Sequence, residues 1–238
     1  MSWQCYLADV QPNTTPWYEW RRQGLGGSDI PMLLGVSPYK DATIKGLALD
    51  KLGLVPPRES VSWPARRGQL LEPKARKMLG DRYNVDIYVA CVEHRQHRHH
   101  RASLDGYWWI DDRLEICELK ALKHETHLLF GRVVDGLAPK HALPLHLLVQ
   151  CQWQLYVSGA DVCHLCCYSE KKDETRQLHV VHLTPEPCLW AGWMLPPAEQ
   201  FWSRLTVLRR VGYNVGGVGL EQFEEDYTHI FEGGKSCV

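Results

Sequence analysis

The stretch from Ala102 to Leu122 constrains this chain more than any other. Ala102 to Ile110 and Arg113 to Leu122 read as two strands around the two-residue loop Asp111-Asp112, so the segment predicts a β-hairpin. With Ile110 facing Arg113, each step back along one strand matches a step forward along the other. Asp105 then falls opposite Glu118, and cross-strand neighbours of this kind have Cβ atoms about 4.5–5.5 Å apart. Lys120, two residues beyond Glu118, projects from the same face. The flanking Trp108, Trp109, Ile116 and Cys117 are expected to be buried. Two carboxylates in such surroundings repel and stay ionised together only around a cation. Their hard oxygens favour Mg²⁺ or Mn²⁺. A lysine beside them can orient or help deprotonate a water, which completes the parts needed for metal-assisted phosphodiester hydrolysis. The plainer alternative is an ordinary strand face carrying a Glu118–Lys120 pair.

The rest of the chain supports one large globular unit. Its 238 residues, 45% of them hydrophobic, suffice for a sizeable core and exclude global disorder. The most apolar stretch, Ala142 to Cys151, is broken by Pro144, His146 and Gln150 and falls far short of the ~20 residues of a membrane span. The N-terminus lacks the pattern of a secretory signal, so a cytoplasmic location is expected. Helices are expected from Trp17 to Gly24, after Ser28-Asp29 up to Gly35, from Ala42 to Leu52, from Gly68 to Leu79 with Glu72 on it, from Leu143 to Ser158, and from Pro187 to Arg210. Further strands are expected at Val85 to Val92, Val162 to Tyr168 and Gln177 to Leu183. Helices, a run of strands, a helix, two more strands and a final helix describe an α/β or α+β core around one central sheet.

Charge and cysteine usage narrow the classes further. A net charge of -1 argues against a protein that coats nucleic acid. The charge is nonetheless uneven. Arg58 to Arg101 holds ten Lys or Arg against five acids, whereas Glu221 to Glu232 holds five acids and no Lys or Arg. Such polarity suits a polar partner surface, head-to-tail self-association or simply solvated helix faces. The nine cysteines are scattered except for Cys163, Cys166 and Cys167. No second pair follows at the spacing that a four-ligand zinc site needs, so reduced thiols are expected. The run HRQHRHHR (His94 to Arg101) does not put its histidines on one helical face and reads as a basic strand or loop beside a polyanion.

Asp105, Glu118 and Lys120 resemble the nuclease motif PD-(D/E)-x-K, with Leu104 in place of the usual proline. Three further segments occur in the order and spacing of the phage-type recombination exonucleases, the YqaJ-like and lambda-exonuclease relatives. They are WRRQGLGGSDIPMLLGVSPY (Trp20 to Tyr39), RRGQLLEP (Arg66 to Pro73) and QCQWQLYVSGA (Gln150 to Ala160). The resemblance spans about residues 17–168. It implies a restriction-endonuclease-like core, a central mixed β-sheet flanked by helices. Length and composition fit a single domain over 1–238, with a C-terminal helical and acidic extension over about 186–238.

By this resemblance Glu72, Asp105, Glu118 and the backbone carbonyl of Leu119 are metal ligands and Lys120 is the catalytic lysine. Gln152, with Tyr156 four residues on, matches the Q-x-x-x-Y helix motif of RecB-like nucleases, which sets its side chain beside the lysine and the attacking water. Arg21, Arg22, Ser28 and Ser103 match the region that anchors a 5′-terminal phosphate, with the choice between the two arginines open. At the position of the lambda enzyme's pocket arginine stands Thr126, and Lys123, His124 or His127 is the candidate substitute. Trp17 and Trp20 could stack on terminal bases or belong to the core. The resemblance implies a Mg²⁺-dependent 5′-to-3′ exonuclease on linear double-stranded DNA that leaves 3′ tails for recombination. With it come two metal ions, Mn²⁺ as a substitute, a homotrimeric ring and a single-strand annealing protein as partner. The rivals are a RecB- or Cas4-like nuclease of other polarity, a structure-specific endonuclease, and a non-catalytic DNA-end-binding module.

Overall fold

The computed structural model describes residues 3–55, 63–170, 176–213 and 220–232. Six strands form one sheet whose spatial order is the order of the chain: β1 (Cys5–Ala8), β2 (Tyr88–His94), β3 (Arg101–Ile110), β4 (Arg113–Lys120), β5 (Val162–Tyr168) and β6 (Leu178–Leu183). The first four are antiparallel, β5 joins β4 in parallel, and β6 returns antiparallel, so the sheet is mixed. A parallel step needs a crossover. Here it carries two helices, α5 (His124–Val134) and α6 (Leu145–Ser158). Before β2 come α1 (Thr15–Arg22), α2 (Ile30–Leu33), α3 (Ile44–Leu52) and α4 (Trp63–Tyr83). After β6 come α7 (Pro187–Leu189), a π-helical turn (Trp190–Met194), α8 (Leu195–Arg210), α9 (Leu220–Tyr227) and a second π turn (Thr228–Glu232).

Two apolar layers hold these elements. On one face α4 sets Leu71, Ala75 and Leu79, spaced four apart, against Trp108, Cys117, Leu119, Cys166, Leu178 and Val180. On the other face α6 lies between the sheet and the C-terminal helices. It is therefore buried nearly all round, with Val149, Cys151, Gln152, Trp153, Gln154 and Leu155 all inaccessible. Phe201, Leu205 and Leu208 of α8 and Phe223 and Tyr227 of α9 belong to this same cluster. The acidic C-terminal stretch thus packs on the core, and Lys45 of α3 pairs with Glu224. Strand alternation sends Cys163 and Cys167 to this layer and Cys166 to the α4 layer, so the C-x-x-C pair cannot share an ion.

The β3–β4 register is the expected one, Ile110↔Arg113 through Gly106↔Cys117. On its other edge β3 contains a bulge. From Tyr88 to Ala90 strand β2 advances two residues while β3 goes from Tyr107 to Leu104, so the extra residue falls at Asp105-Gly106. Ala102 and Leu104 before the bulge face the same apolar layer as Tyr107 and Trp109 after it. Gly106 is required there, because a Cβ would lie 2.7 Å from Cys117 Sγ and closer still to the Ile87 side chain.

Several expected bounds shift. Helix α4 runs from Trp63 to Tyr83 and tolerates Pro73 inside it, well beyond the expected 68–79. Asp29 precedes α2 but its carboxylate makes no cap bond, reaching back to the Gly26 amide instead. Strand β1 and helix α5 were not expected from the sequence pattern. The His94–Arg101 run is the β2–β3 connection, with His94, His99 and His100 packed on Tyr156, Trp202 and Trp153 while His97 is exposed. Among the described residues no helix is long and apolar enough to cross a membrane.

Candidate active site

At the bulge, Asp105 leaves the regular ladder. Its carboxylate accepts the Leu119 amide at 2.8 Å, and its carbonyl accepts Arg76 Nε at 2.7 Å. Arg76 also pairs with Glu72 one turn earlier on α4, so a single guanidinium ties the helix carboxylate to the bulge. Across the hairpin, buried Glu118 forms an ion pair with Lys120. Burial, with Glu118 and Glu72 adding to it, raises the Asp105 carboxyl well above the usual range. Glu72 is raised as well, first by burial and then by Glu118, while Arg76 opposes. Lys120 is raised by Glu118 and Asp105 in spite of burial. Glu72, Asp105, Glu118 and Lys120 therefore act on one another electrostatically.

The glutamines correct the sequence reading. Gln150 Nε2 donates to Glu118 Oε1 at 2.7 Å, and Gln154 Nε2 donates to Glu118 Oε2. Gln152 does not reach the lysine. Its Nε2 donates to the Thr184 carbonyl at 2.8 Å, and its Oε1 accepts from the Glu186 amide at 3.1 Å and Trp190 Nε1 at 2.8 Å. The reason is helical geometry. Residues four apart share a face, so Gln150 and Gln154 face β4 together while Gln152, half a turn away, meets the segment after β6. The Q-x-x-x-Y pair is thus turned toward the C-terminal helices. The signal that could have found the right pair was present as two glutamines at i and i+4. The Gln154 Oε1 is buried beside Glu118 without a hydrogen-bond partner.

The candidate phosphate pocket adjoins this unit. Arg21 NH2 donates to Ser28 Oγ at 2.8 Å, and its guanidinium lies 4.7 Å from the centre of the Trp17 ring. Trp17 Nε1 in turn donates to Ser103 Oγ at 2.8 Å. Arg21, Ser28 and Ser103 are thereby brought together through Trp17. Arg22 is not among them, for it donates to the Val55 carbonyl at 3.1 Å on the far side of α1. Both Trp17 and Trp20 are largely buried, which places them in the core. The turn before Ser28 rests on α6, where a Cβ on Gly27 would lie 3.1 Å from Gln150 Cγ, so the candidate pocket and Glu118 share one support. Asp29 fixes the turn from below. Burial pushes its carboxyl up, but Lys51 at 2.7 Å and Arg21 outweigh this and hold it below the usual carboxylate range. Of the substitutes near Thr126, His127 is buried against the Gln177 carbonyl, remote in role from this pocket.

The donors fit a hard divalent cation. Glu72, Asp105 and Glu118 lie close enough to perturb one another, two of them held above their ordinary range first by burial and then by like charge, and every candidate ligand atom is oxygen.

Comparison with known proteins gives the fold and the family. No curated protein matches the sequence significantly. Among solved structures, the alkaline exonuclease LHK-Exo from Laribacter hongkongensis superposes with a TM-score of 0.66 at 19% identity, over 83% of this chain and 97% of that one. LHK-Exo in complex with dAMP gives 0.65 at 19% identity, over 82% and 93%. A phage-related exonuclease from Haemophilus somnus 129PT gives 0.55 at 14% identity, over 78% and 96%. These likenesses establish a shared mixed-sheet α/β fold of the restriction-endonuclease-like type. The YqaJ-like viral recombinase domain matches residues 16–161, more than half of the sequence, and the chain belongs to that family.

Proposed function

We propose that the protein is a Mg²⁺-dependent exonuclease that removes nucleotides from the 5′ strand of linear double-stranded DNA and leaves 3′ single-stranded tails for homologous recombination. The observation that carries this reading is the adjacency of the Glu72–Asp105–Glu118–Lys120 unit to the Arg21–Ser28–Ser103 pocket, joined through α6 at Gln150. The LHK-Exo complex with dAMP supports a deoxynucleotide as the kind of molecule such a fold accepts.

In this reading Glu72, Asp105, Glu118 and the Leu119 carbonyl would hold two Mg²⁺ ions, which would supply Lewis-acid stabilisation of charge at the scissile phosphate, and Mn²⁺ would substitute for them. The protein's own groups do the rest. Gln150 and Gln154 fix both oxygens of Glu118, so the ligand does not swing when charge changes around it. The Lys120 ammonium orients the attacking water and offsets charge on the scissile phosphate. The water oxygen bonds to phosphorus, the P–O3′ bond breaks, and the departing 3′-oxygen takes a proton. Each cut leaves a fresh 5′-phosphate on the shortened strand, which Arg21, Ser28 and Ser103 bind as the next terminus. The family reading adds a ring-shaped homotrimer, a single-strand annealing partner and action in the cytoplasm of a bacterial host.

Digestion of linear duplex DNA with 5′-phosphate or 5′-hydroxyl ends, beside circular DNA, tests the proposal. Loss of the 5′ strand of the linear form in Mg²⁺, faster with phosphate, is expected, with chelation stopping it. Lys120→Ala should lower the rate about 10²–10⁴-fold, the scale of a lost positioned proton-handling group. Cleavage of circles would point to an endonuclease, and DNA binding without cleavage to an end-binding module.

A further inference from the structure

A second cluster lies away from the carboxylates, on the β2–β3 connection. His97, His99 and His100 there face Glu199 of α8. His100 Nε2 is 3.1 Å from Glu199 Oε1, His97 Nδ1 is 3.6 Å from the same oxygen, and His99 Nε2 is 3.4 Å from Oε2. The candidate donor atoms of His97, His100 and Glu199 all lie within 4.8 Å of one another.

The decisive atom is His100 Nε2. His100 is fully buried, and its Nε2 has no hydrogen-bond partner although a carboxylate oxygen is close by. Its other nitrogen, Nδ1, lies 3.1 Å from the Tyr156 hydroxyl. When Nδ1–H donates to Tyr156, Nε2 presents a bare lone pair to a carboxylate oxygen. Two acceptors at that distance repel unless a cation sits between them. His99 Nε2 is likewise buried and unpartnered, with its ring stacked on Trp202 at 4.9 Å.

We infer that His97, His100 and Glu199 form a binding site for a divalent transition-metal ion of the zinc class, with His99 beside the second Glu199 oxygen. Imidazole and carboxylate donors suit Zn²⁺ and not Mg²⁺, which sets this site apart from the all-oxygen centre. Tetrahedral ligands around Zn²⁺ lie about 3.3 Å apart. The cluster must therefore contract slightly, and the two exposed members can do so: the side chains of His97 and Glu199 are each 45% accessible. His100 is the fixed member, held by Tyr156 in the manner of an outer partner that sets a ligand's tautomer.

The ion would fasten α8 to the β2–β3 connection. That connection also holds the turn after Arg21, since Leu25 N donates to the His99 carbonyl at 2.6 Å and Arg101 N donates to the Leu25 carbonyl at 2.8 Å. The site is thus a clamp on the segment that carries the candidate phosphate pocket, and it stands whether or not the chain is a nuclease.

The test is Zn²⁺ titration of the full chain, stripped with chelator and held in excess Mg²⁺, read by calorimetry and by thermal melting. One Zn²⁺ per chain and a raised melting temperature are expected. The His97→Ala/Glu199→Gln double variant changes only half-exposed side chains and should bind at least a hundredfold more weakly, with no melting shift. Tyr156→Phe should weaken binding about 10–100-fold, as removal of an outer partner does. Asp105→Asn, and Cys188→Ser, which removes an exposed free thiol that could itself take up Zn²⁺, should bind as the parent does. Equal binding by the parent and the double variant, no stoichiometric binding by the parent, or loss of binding in Asp105→Asn or Cys188→Ser would each overturn the assignment.

Discussion

Gln154 of α6 and Glu118 of β4 are joined by a buried hydrogen bond, with Gln150 one helical turn away on the other carboxylate oxygen. An ionised carboxylate inside a protein needs such donors, since leaving a charged group without them costs more than the ~1–3 kcal/mol of a neutral one. Gln154→Ala should therefore lower both thermal stability and activity, and Gln150→Ala should lower activity with a smaller stability loss. Gln152→Ala should lower stability through Thr184, Glu186 and Trp190 while kcat stays near that of the parent. Parallel melts and single-turnover cleavage separate the three; a kcat collapse in Gln152→Ala alone would restore the Q-x-x-x-Y assignment.

Arg21 and Arg22 are neighbours with opposite surroundings. Arg21→Ala should abolish the preference for 5′-phosphate over 5′-hydroxyl ends. Arg22→Ala should keep that preference and lose stability by about 1 kcal/mol, the scale of one hydrogen bond. Initial rates on the two kinds of end give the answer, and equal loss of preference in both variants would undo the pocket assignment.

Asp105 sits in like-charged company, so its substitution should separate stability from binding. In Asp105→Asn the amide oxygen can still accept the Leu119 amide while the repulsion from Glu118 and Glu72 is relieved. The variant should melt higher than the parent in chelator, show little further rise with Mg²⁺, and fail to cleave DNA. A lower melting temperature in chelator would mean that the carboxylates are not in conflict.

A pH effect follows from His164, whose Nε2 lies 2.7 Å from Glu115 Oε2 while Tyr83, Trp108 and His182 pack around its ring. Burial lowers its proton affinity, with Glu115 opposing and His182 assisting. The unfolded chain takes up this proton near pH 6.5 and the folded one resists. The contribution is therefore present above that pH and is lost as pH falls through it toward the lower folded value. His164→Asn should flatten that part of the stability–pH curve, as measured by urea unfolding at pH 5 and pH 7.5.

The hairpin was legible because strand alternation and a two-residue loop leave one register, Ile110↔Arg113 through Gly106↔Cys117, whereas the bulge that takes Asp105 off the ladder left no sign in the sequence. The path of α6 was not legible in the same way. A helix buried all round offers no polar face to orient it, so Gln150, Gln152 and Gln154 were indistinguishable until the C-terminal helices covered one side. Strand β1 escaped notice for a related reason. Four residues with Tyr6 and Leu7 exposed carry too little pattern to identify a strand, and only pairing with β2 makes them one. Arg22 and Arg21 could not be ranked, because their roles depend on which side of a two-turn helix meets Trp17 and Ser28.

The irregularity in β3 works as a phase shifter. Upstream of it even-numbered residues look into the α6 layer, and downstream odd-numbered ones do. Deleting Gly106 would put the two halves back in step. It would also turn Tyr107, Trp108 and Trp109 to the wrong layers and return Asp105 to an ordinary rung. One residue of surplus chain thus ties the packing of three aromatic side chains to the placement of a carboxylate, and neither can drift without the other.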